Sequence, residues 1–345
     1  MPRNVYLPSL VNTYSSPVRV GVAGATGYAG QELVALLARH PGVRLDAAMS
    51  SSADSAARPM PRLARVWDGK VQPLDRERLA SDFDVVFLAV PENAAADLAP
   101  PLVTAGVRVI DLSGAFRIKD DVARARWYPA TKDLPPGAAY GLTEHYRSAV
   151  RTANLIANPG CYPTAALLAL LPLAHAGLLD ANAGVVIDAK SGISGAGRVP
   201  SDRTHFSENH GSVSAYGIFS HRHVAEMEQE LSAAITFVPH LVPLDRGILE
   251  TIYVKVAAGT TNEQITDAFT AAYAHEPFVR LTGDALPEIK HVAWTNFCDI
   301  GWRLDPGSSR LVIVACLDNL VKGAAGQALQ NFNVACNFDE RTALL

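Results

Sequence analysis

The sequence has no block of basic residues, no apolar stretch long enough to cross a bilayer and no paired cysteines. Each of these gaps removes a class of protein. Thirty Lys and Arg against 34 Asp and Glu leave a net charge of −4, which gives no general attraction to nucleic acid or anionic lipid. The longest apolar run, 165–174, is interrupted by Pro172 and falls far short of a span of about 20 residues. The four cysteines, Cys161, Cys298, Cys316 and Cys336, are widely spaced without a C-x-x-C pair. That spacing argues against a disulfide framework and a metal site, and predicts reduced thiols in the cytoplasm. Residues 1–16 lack a continuous apolar core and a cleavage site, so they read as a loose leader, not a signal peptide.

What remains is an ordinary folded composition, 49% hydrophobic and 19% charged, on a chain of 345 residues. That length exceeds one usual core and predicts two domains. From about residue 18 to 156, short apolar runs ("VRVGVAG", "VRLDAAMS", "DVVFLAV", "VRVIDLS") alternate with helical patterns such as "GQELVALLARH". Strands joined by helical crossovers predict a parallel sheet covered on both faces. Beyond residue 157 the runs "GVVIDAK", "ITFVPHLVPL", "ILETIYVKV", "HVAWTNFCDIGWRL" and "RLVIVACL" read as strands, several of them alternating in polarity. This half predicts a mainly antiparallel sheet with helices on one side. The division is 1–157, 158–317 and a helix within 318–345 that returns to the first domain.

The first chemical signal is "GVAGATGYAGQEL", where Gly24, Gly27 and Gly30 follow a strand and open a helix. A turn without side chains lets backbone amides approach a pyrophosphate, and a helix N-terminus favours that charge. Ala25, Thr26 and Tyr28 belong to the same turn. The G-x-x-G-x-x-G spacing is a variant of the usual dinucleotide fingerprint. Where an NAD site carries an acid, after the second strand, this chain has Ser50, Ser51 and Ser52, with Arg58 close behind. Hydroxyl and guanidinium donors suit a 2′-phosphate, so the cofactor expected is NADP; a solvated serine loop is the alternative.

The second signal is "NPGCYPTA". Asn158-Pro159-Gly160 is a turn, and Cys161 falls at the positive end of an apolar helix, where its thiol pKa is expected to be lowered. A nucleophile is preferred to a packing role; the other three cysteines sit in strands or near the C-terminus. For a proton acceptor the sequence offers His221 and His223 in "FSHRHVAEMEQEL", with Ser220 as a cap for a helix starting at His221. Two positions are about 200° apart on a helix, so the rings are not expected to face one atom. Glu226 is placed to orient His223.

Together these segments resemble the N-acetyl-γ-glutamyl-phosphate reductases, within the wider aspartate-semialdehyde dehydrogenase superfamily. The likeness runs from about Val18 to Asn333 and includes "GATGYAGQEL", "NPGCYPTA", "SGISGAGR", "HRHVAEMEQEL", "RGILETIYV" and "DNLVKGAAGQALQNFN". It implies a Rossmann-type NADP-binding domain and a mainly antiparallel catalytic and oligomerisation domain, assembled as a dimer or tetramer. It also implies a cysteine thioester route from acyl phosphate to semialdehyde in arginine biosynthesis. Cys161 would be the nucleophile and His221, ahead of His223, the acid/base. Arg117 would lie near the substrate phosphate, with Arg198 and Arg246 as further anchors for an anionic small-molecule substrate. Ser191, Gly192, Ser194 and Gly195 would line the nicotinamide side, with Asn319. The chain departs from the family at Gly114-Ala115, where Ala-Asp is usual, and at Val224-Ala225, where Thr-Pro is usual. Alternative readings are a reductase of carrier-bound aminoadipate phosphate or of aspartyl phosphate, and a non-catalytic NADP-binding redox sensor.

Overall fold

Short strands rich in valine and isoleucine need both faces covered, and the first sheet is built from six of them. The computed structural model describes residues 16–51, 56–180, 183–283, 285–305 and 307–345. Nearly all of the expected leader, and Ser52, lie outside these. Strands β1 (Val18–Ala23), β2 (Val43–Met49), β3 (Val85–Leu88), β4 (Arg108–Asp111), β5 (Ala139–Tyr140) and β6 (Leu155–Ala157) pair in the order β2-β1-β3-β4-β6-β5, all parallel. Helices α1 (Tyr28–Leu37) and α3 (Thr143–Thr152) cover one face, and α2 (Glu92–Thr104) covers the other. The alternation of β3 explains the layers. Val85 and Phe87 pack with Leu33, Val34 and Leu37 of α1, while Val86 and Leu88 pack with Leu98 and Leu102 of α2.

The second sheet is mixed. It contains β7 (Val185–Gly192), β8 (Ser214–Ala215), β9 (Ile235–Val242), β10 (Ile248–Lys255), β11 (Val279–Leu281), β12 (Cys298–Asp305) and β13 (Arg310–Leu317), in the order β8-β9-β7-β10-β13-β12-β11. The β7–β9 and β11–β12 neighbours are parallel and the other pairs antiparallel. On its inner face lies α4 (Cys161–His175), whose residues from Tyr162 to Leu173 are all buried. A helix apolar on every side belongs inside, and α5 (His223–Leu231) and α6 (Asn262–Tyr273) flank it there.

The chain then returns. A π-helical turn, Val321–Ala325, leads into α7 (Gly326–Ala335), and Ala328, Leu329 and Phe332 join the core of the first sheet. The return is tied by a fully buried ion pair, Lys322 Nζ to Glu144 Oε1 at 2.6 Å, with Gln330 bonded to both.

Two expectations need correction. "HVAWTNFCDIGWRL" is not one strand: 289–292 form a short helix, Trp294 takes φ +68°, and the strand starts only at Cys298. Helix α5 starts at His223, not His221, with Arg222 rather than Ser220 at its cap position.

Lys322→Met would leave the Glu144 carboxylate buried without its cation. It is expected to lower the unfolding free energy by about 3–5 kcal/mol, measured by urea denaturation. A loss below about 1 kcal/mol would show that the pair contributes little to joining the domains.

Candidate active site

The 158–161 turn is held from three sides by buried polar contacts, and this places the thiol. Glu226, fully buried on α5, accepts from the Gly160 amide at 2.8 Å and from the Tyr140 hydroxyl at 2.6 Å through one oxygen. Its other oxygen pairs with Arg117 Nη1 at 3.3 Å. Arg117 spends its remaining reach on backbone carbonyls, Asn158 O at 2.8 Å and Leu112 O at 2.9 Å. Asn158 in turn accepts from Asn331 and donates to Ala324 O, fixing the turn to the returning segment. Glu226 therefore organises the turn and does not orient His223, contrary to expectation. Asp111, buried at the end of β4, is pushed up to about 6 by burial and bonds the Ser113 amide and hydroxyl, shaping the loop to Arg117. Ala115, where an acid was missed, is buried in the core of the first sheet.

Cys161 opens α4 after Gly160, at the floor of a cleft of about 790 Å³ between the domains. The approach is tight. A Cβ on Gly160 would come within 2.4 Å of His223 Nε2, and one on Gly323 within 2.7 Å of Cys161 Cβ. His221 and His223 both line this cleft, with ring centroids 4.7 Å apart, and each meets the Tyr162 ring edge-on. The helical angle does not separate them because His221 precedes the helix. Its Nδ1 instead accepts the His223 amide at 3.2 Å, as a capping side chain does. A neutral His221 then carries its proton on Nε2. Burial drives both imidazoles to the neutral form, with His221 lowered to about 4 and His223 well below its usual value.

The thiol is not activated at rest. Burial pushes Cys161 up to about 12, against the opposing pull of the Tyr162 amide and Arg117. Glu250 is a second buried acid near the thiol. It lies on the inner face of β10 between Ala189 and Ala315, fully buried, and neither carboxylate oxygen has a hydrogen-bond partner. Burial raises its pKa well above the ordinary carboxylate value. The alternation of "ILETIYVKV" puts Glu250 on the buried face, so the period-2 pattern was the signal that could have found it.

The glycine turn faces the same cleft. Gly24 has φ +87° and its amide, like that of Ala25, bonds Met49 O at the end of β2. A Cβ on Gly30 would strike Gly24 O at 2.3 Å, so Gly24 and Gly30 are glycines for the fold itself. Gly27 is different: its backbone is ordinary and a Cβ there would meet only Gly24 O, at 3.6 Å. The space above it opens on the cleft, and the first turn of α1 holds no acid. This cradle fits a dinucleotide pyrophosphate. Thr26 accepts from Arg198 Nη1 at 3.0 Å, which ties the cofactor turn to the second domain, and Tyr28 lines the cleft beside it. Asn319 donates to Ser194 Oγ at 3.0 Å and, with Gly195, lines the cleft; Ser191 is buried beneath, 3.0 Å from where a Gly195 Cβ would be. After β2, Ser50 is buried with its amide on Gln72 O, and Ser51 is exposed.

Arg246 is not in the cleft. It bonds Glu32 of α1 at 2.8 Å and Asp318 at 3.2 Å, and its guanidinium lies 3.2 Å from the Trp294 ring centroid. Its charge is used in joining the domains, so it is removed as a substrate anchor. Arg203, Arg222, Tyr128 and Glu92 line the cleft and were not singled out from sequence, since isolated surface-type residues leave no pattern.

A glycine cradle that fits a dinucleotide, facing a cysteine and two neutral histidines, defines a nicotinamide-dependent oxidoreductase. The model described as "Semialdehyde dehydrogenase, NAD binding domain" matches residues 19–153, and "Semialdehyde dehydrogenase, dimerisation domain" matches 161–319. The N-acetyl-gamma-glutamyl-phosphate reductase of Shouchella clausii is 44% identical over 338 residues, 95% of this chain and 98% of its own. That of Symbiobacterium thermophilum is 46% identical over 341 residues, covering 95% and 97%. Among solved structures, aspartate semialdehyde dehydrogenase II from Vibrio cholerae superposes with a TM-score of 0.71 at 19% identity, over 93% of this chain and 99% of its own, which shows the shared fold. The chain belongs to the N-acetyl-γ-glutamyl-phosphate reductase family of semialdehyde dehydrogenases. No described helix is long and apolar enough to cross a membrane.

Two measurements check these electrostatics. Alkylation of Cys161 by iodoacetamide in the cofactor-free protein is expected to accelerate steadily with pH up to at least 10; a plateau near pH 7 would mean a stable thiolate. Glu250 keeps its proton in the folded state but loses it on unfolding above about pH 4.5, so stability falls as pH rises beyond that point. Glu250→Gln is therefore expected to raise Tm relative to wild type more at pH 8 than at pH 4.5; equal shifts at both would show an ionised Glu250.

Proposed function

We propose that this chain reduces N-acetyl-γ-glutamyl phosphate to N-acetylglutamate semialdehyde with release of phosphate, using NADPH, in arginine biosynthesis in the cytoplasm. The observation that carries the reading is the shared cleft, in which Cys161, His221 and the glycine turn line one space. The names of relatives more than 40% identical support the glutamyl substrate over aspartyl or aminoadipyl phosphate. Serines in place of an acid after β2 support NADP, and a Candida albicans aspartate semialdehyde dehydrogenase of similar fold (TM-score 0.68, 17% identity, covering 93% of this chain and 99% of its own) is described with NADP. The matched dimerisation domain and the exposed Val186 and Tyr253 on the outer sheet face support a homodimer or a tetramer of such dimers.

The chemistry follows from a buried thiol beside neutral imidazoles. The Cys161 sulfur attacks the acyl carbon, the bond from that carbon to the phosphate oxygen breaks, and a thioester remains on sulfur. The thiol proton leaves with the phosphate, relayed by a neutral ring, so no standing thiolate is required. Bound NADPH supplies the hydride that reduces the thioester carbon. His221 presents Nε2–H to the carbonyl oxygen as negative charge develops there, and the proton returned to sulfur passes through the same ring as the aldehyde leaves. Arg117, buried in the wall of the cleft, contributes positive potential beside the thiol, which favours the phosphate-bearing end of the substrate.

The test is the reverse reaction, N-acetylglutamate semialdehyde plus phosphate with NADP⁺, followed by absorbance of the reduced cofactor. Wild type is expected to turn over only with phosphate present, and Cys161→Ser to lose at least about 10³-fold in kcat. Undiminished activity in that variant would reduce Cys161 to a packing residue. Turnover of aspartate semialdehyde in preference would reassign the substrate.

A further inference from the structure

Four arginines line the cleft, and two have their guanidinium groups committed to the frame: Arg117 to Glu226 and two carbonyls, Arg198 to the Thr26 carbonyl. Arg222, between the two histidines, is placed differently. It reaches from the second domain to pair with Glu92 at the start of α2 in the first, and its guanidinium lies 5.4 Å from the centroid of the Tyr128 ring. Tyr128 can stand there because residue 114 is glycine; a Cβ on Gly114 would come within 2.3 Å of the Tyr128 hydroxyl. The Arg222 and Glu92 side chains are 47% and 34% exposed, so their pairing is solvent-screened and readily exchanged for another anion.

The substrate assigned above carries two anionic ends. The phosphate is bonded to the carbon that Cys161 attacks, so it must lie beside the thiol, where Arg117 is the cation held against the cysteine turn through Asn158 O. The carboxylate lies at the other end of the substrate's carbon chain and needs a cation away from the thiol. Arg222 lines the same cleft, but its guanidinium is held at Glu92 and over the Tyr128 ring instead of on the cysteine turn, which meets that need. We propose that Arg222 binds the substrate carboxylate remote from the reacting carbon, and that Glu92 holds the guanidinium in place until this carboxylate displaces it. The assignment rests on the reaction proposed above. A planar guanidinium already set by an aromatic ring and a carboxylate loses little freedom on exchanging one carboxylate for another.

The reverse reaction separates the two anions, because semialdehyde and phosphate are distinct substrates with distinct constants. Arg222→Gln is expected to raise KM for the semialdehyde about tenfold or more while leaving KM for phosphate and NADP⁺ within about twofold. Arg222→Lys should recover part of the loss. Glu92→Gln, which removes the competing carboxylate, is expected to lower KM for the semialdehyde. Wild type should prefer the free acid to the methyl ester of its carboxylate, and Arg222→Gln should not distinguish them. A rise confined to KM for phosphate, a fall in kcat alone, or a semialdehyde KM that responds to Arg203→Gln instead would each overturn the assignment. Wild type that fails to turn over N-acetylglutamate semialdehyde would overturn the parent reaction and this proposal together; wild-type turnover with unchanged constants in Arg222→Gln would overturn this proposal alone.

Discussion

The active-site geometry depends on one buried carboxylate. Glu226 sits on a helix of the second domain, yet its partners come from three other places: the Tyr140 hydroxyl, the Gly160 amide and the Arg117 guanidinium. A carboxylate taken fully out of water is tolerated only when its oxygens are filled, and here they are filled by the groups that set the cysteine turn. Arg117 extends the same network to Asn158 O and Leu112 O, so the end of the first sheet, the turn and the histidine helix share one set of contacts. Movement of any one of these elements would leave a buried polar group short of a hydrogen-bond partner.

That rigid frame surrounds a site kept uncharged at its reacting atoms. The same burial that raises the thiol lowers both imidazoles, so the resting pair is thiol and neutral ring, not thiolate and imidazolium. Placing Cys161 at a helix start does act in the activating direction, through the Tyr162 amide, but desolvation is the larger effect. In the reaction proposed above, nucleophilicity comes with the substrate, whose leaving phosphate can take the thiol proton. Glu250 belongs to the same balance, since an acid without a hydrogen-bond partner behind the cysteine stays protonated more cheaply than it ionises.

The two domains are joined by charges that a chain scan would assign to a surface or a substrate. Arg246 stitches β10's approach to α1 through Glu32, Arg198 clasps the Thr26 carbonyl of the glycine turn, and Lys322 meets Glu144 with no exposure to water. Each contact spans residues far apart in sequence, which holds the cofactor cradle against the thiol from both sides. Gly323 serves the same end by steric means, letting the returning segment pass against Cys161.

Local physics made much of this legible before any coordinates. Strand periodicity gave both sheets their composition, the glycine spacing marked the turn at the start of α1, and a turn followed by an apolar run marked Cys161 at a helix start. These features depend on neighbours within a few residues, so sequence alone determined them, and the motifs at residues 24–30 and 158–165 also carried the family. What lay beyond reach were outcomes of long-range packing: that α5 begins two residues late and brings His221 against His223, that Glu226 serves the turn, that Arg246 is consumed between domains. The sign of the thiol's shift belongs here too, because a helix start is local whereas desolvation depends on everything packed around it. Tertiary structure decided these points for one physical reason: a charge's role is set by which opposite charge, and how little water, the fold brings to it.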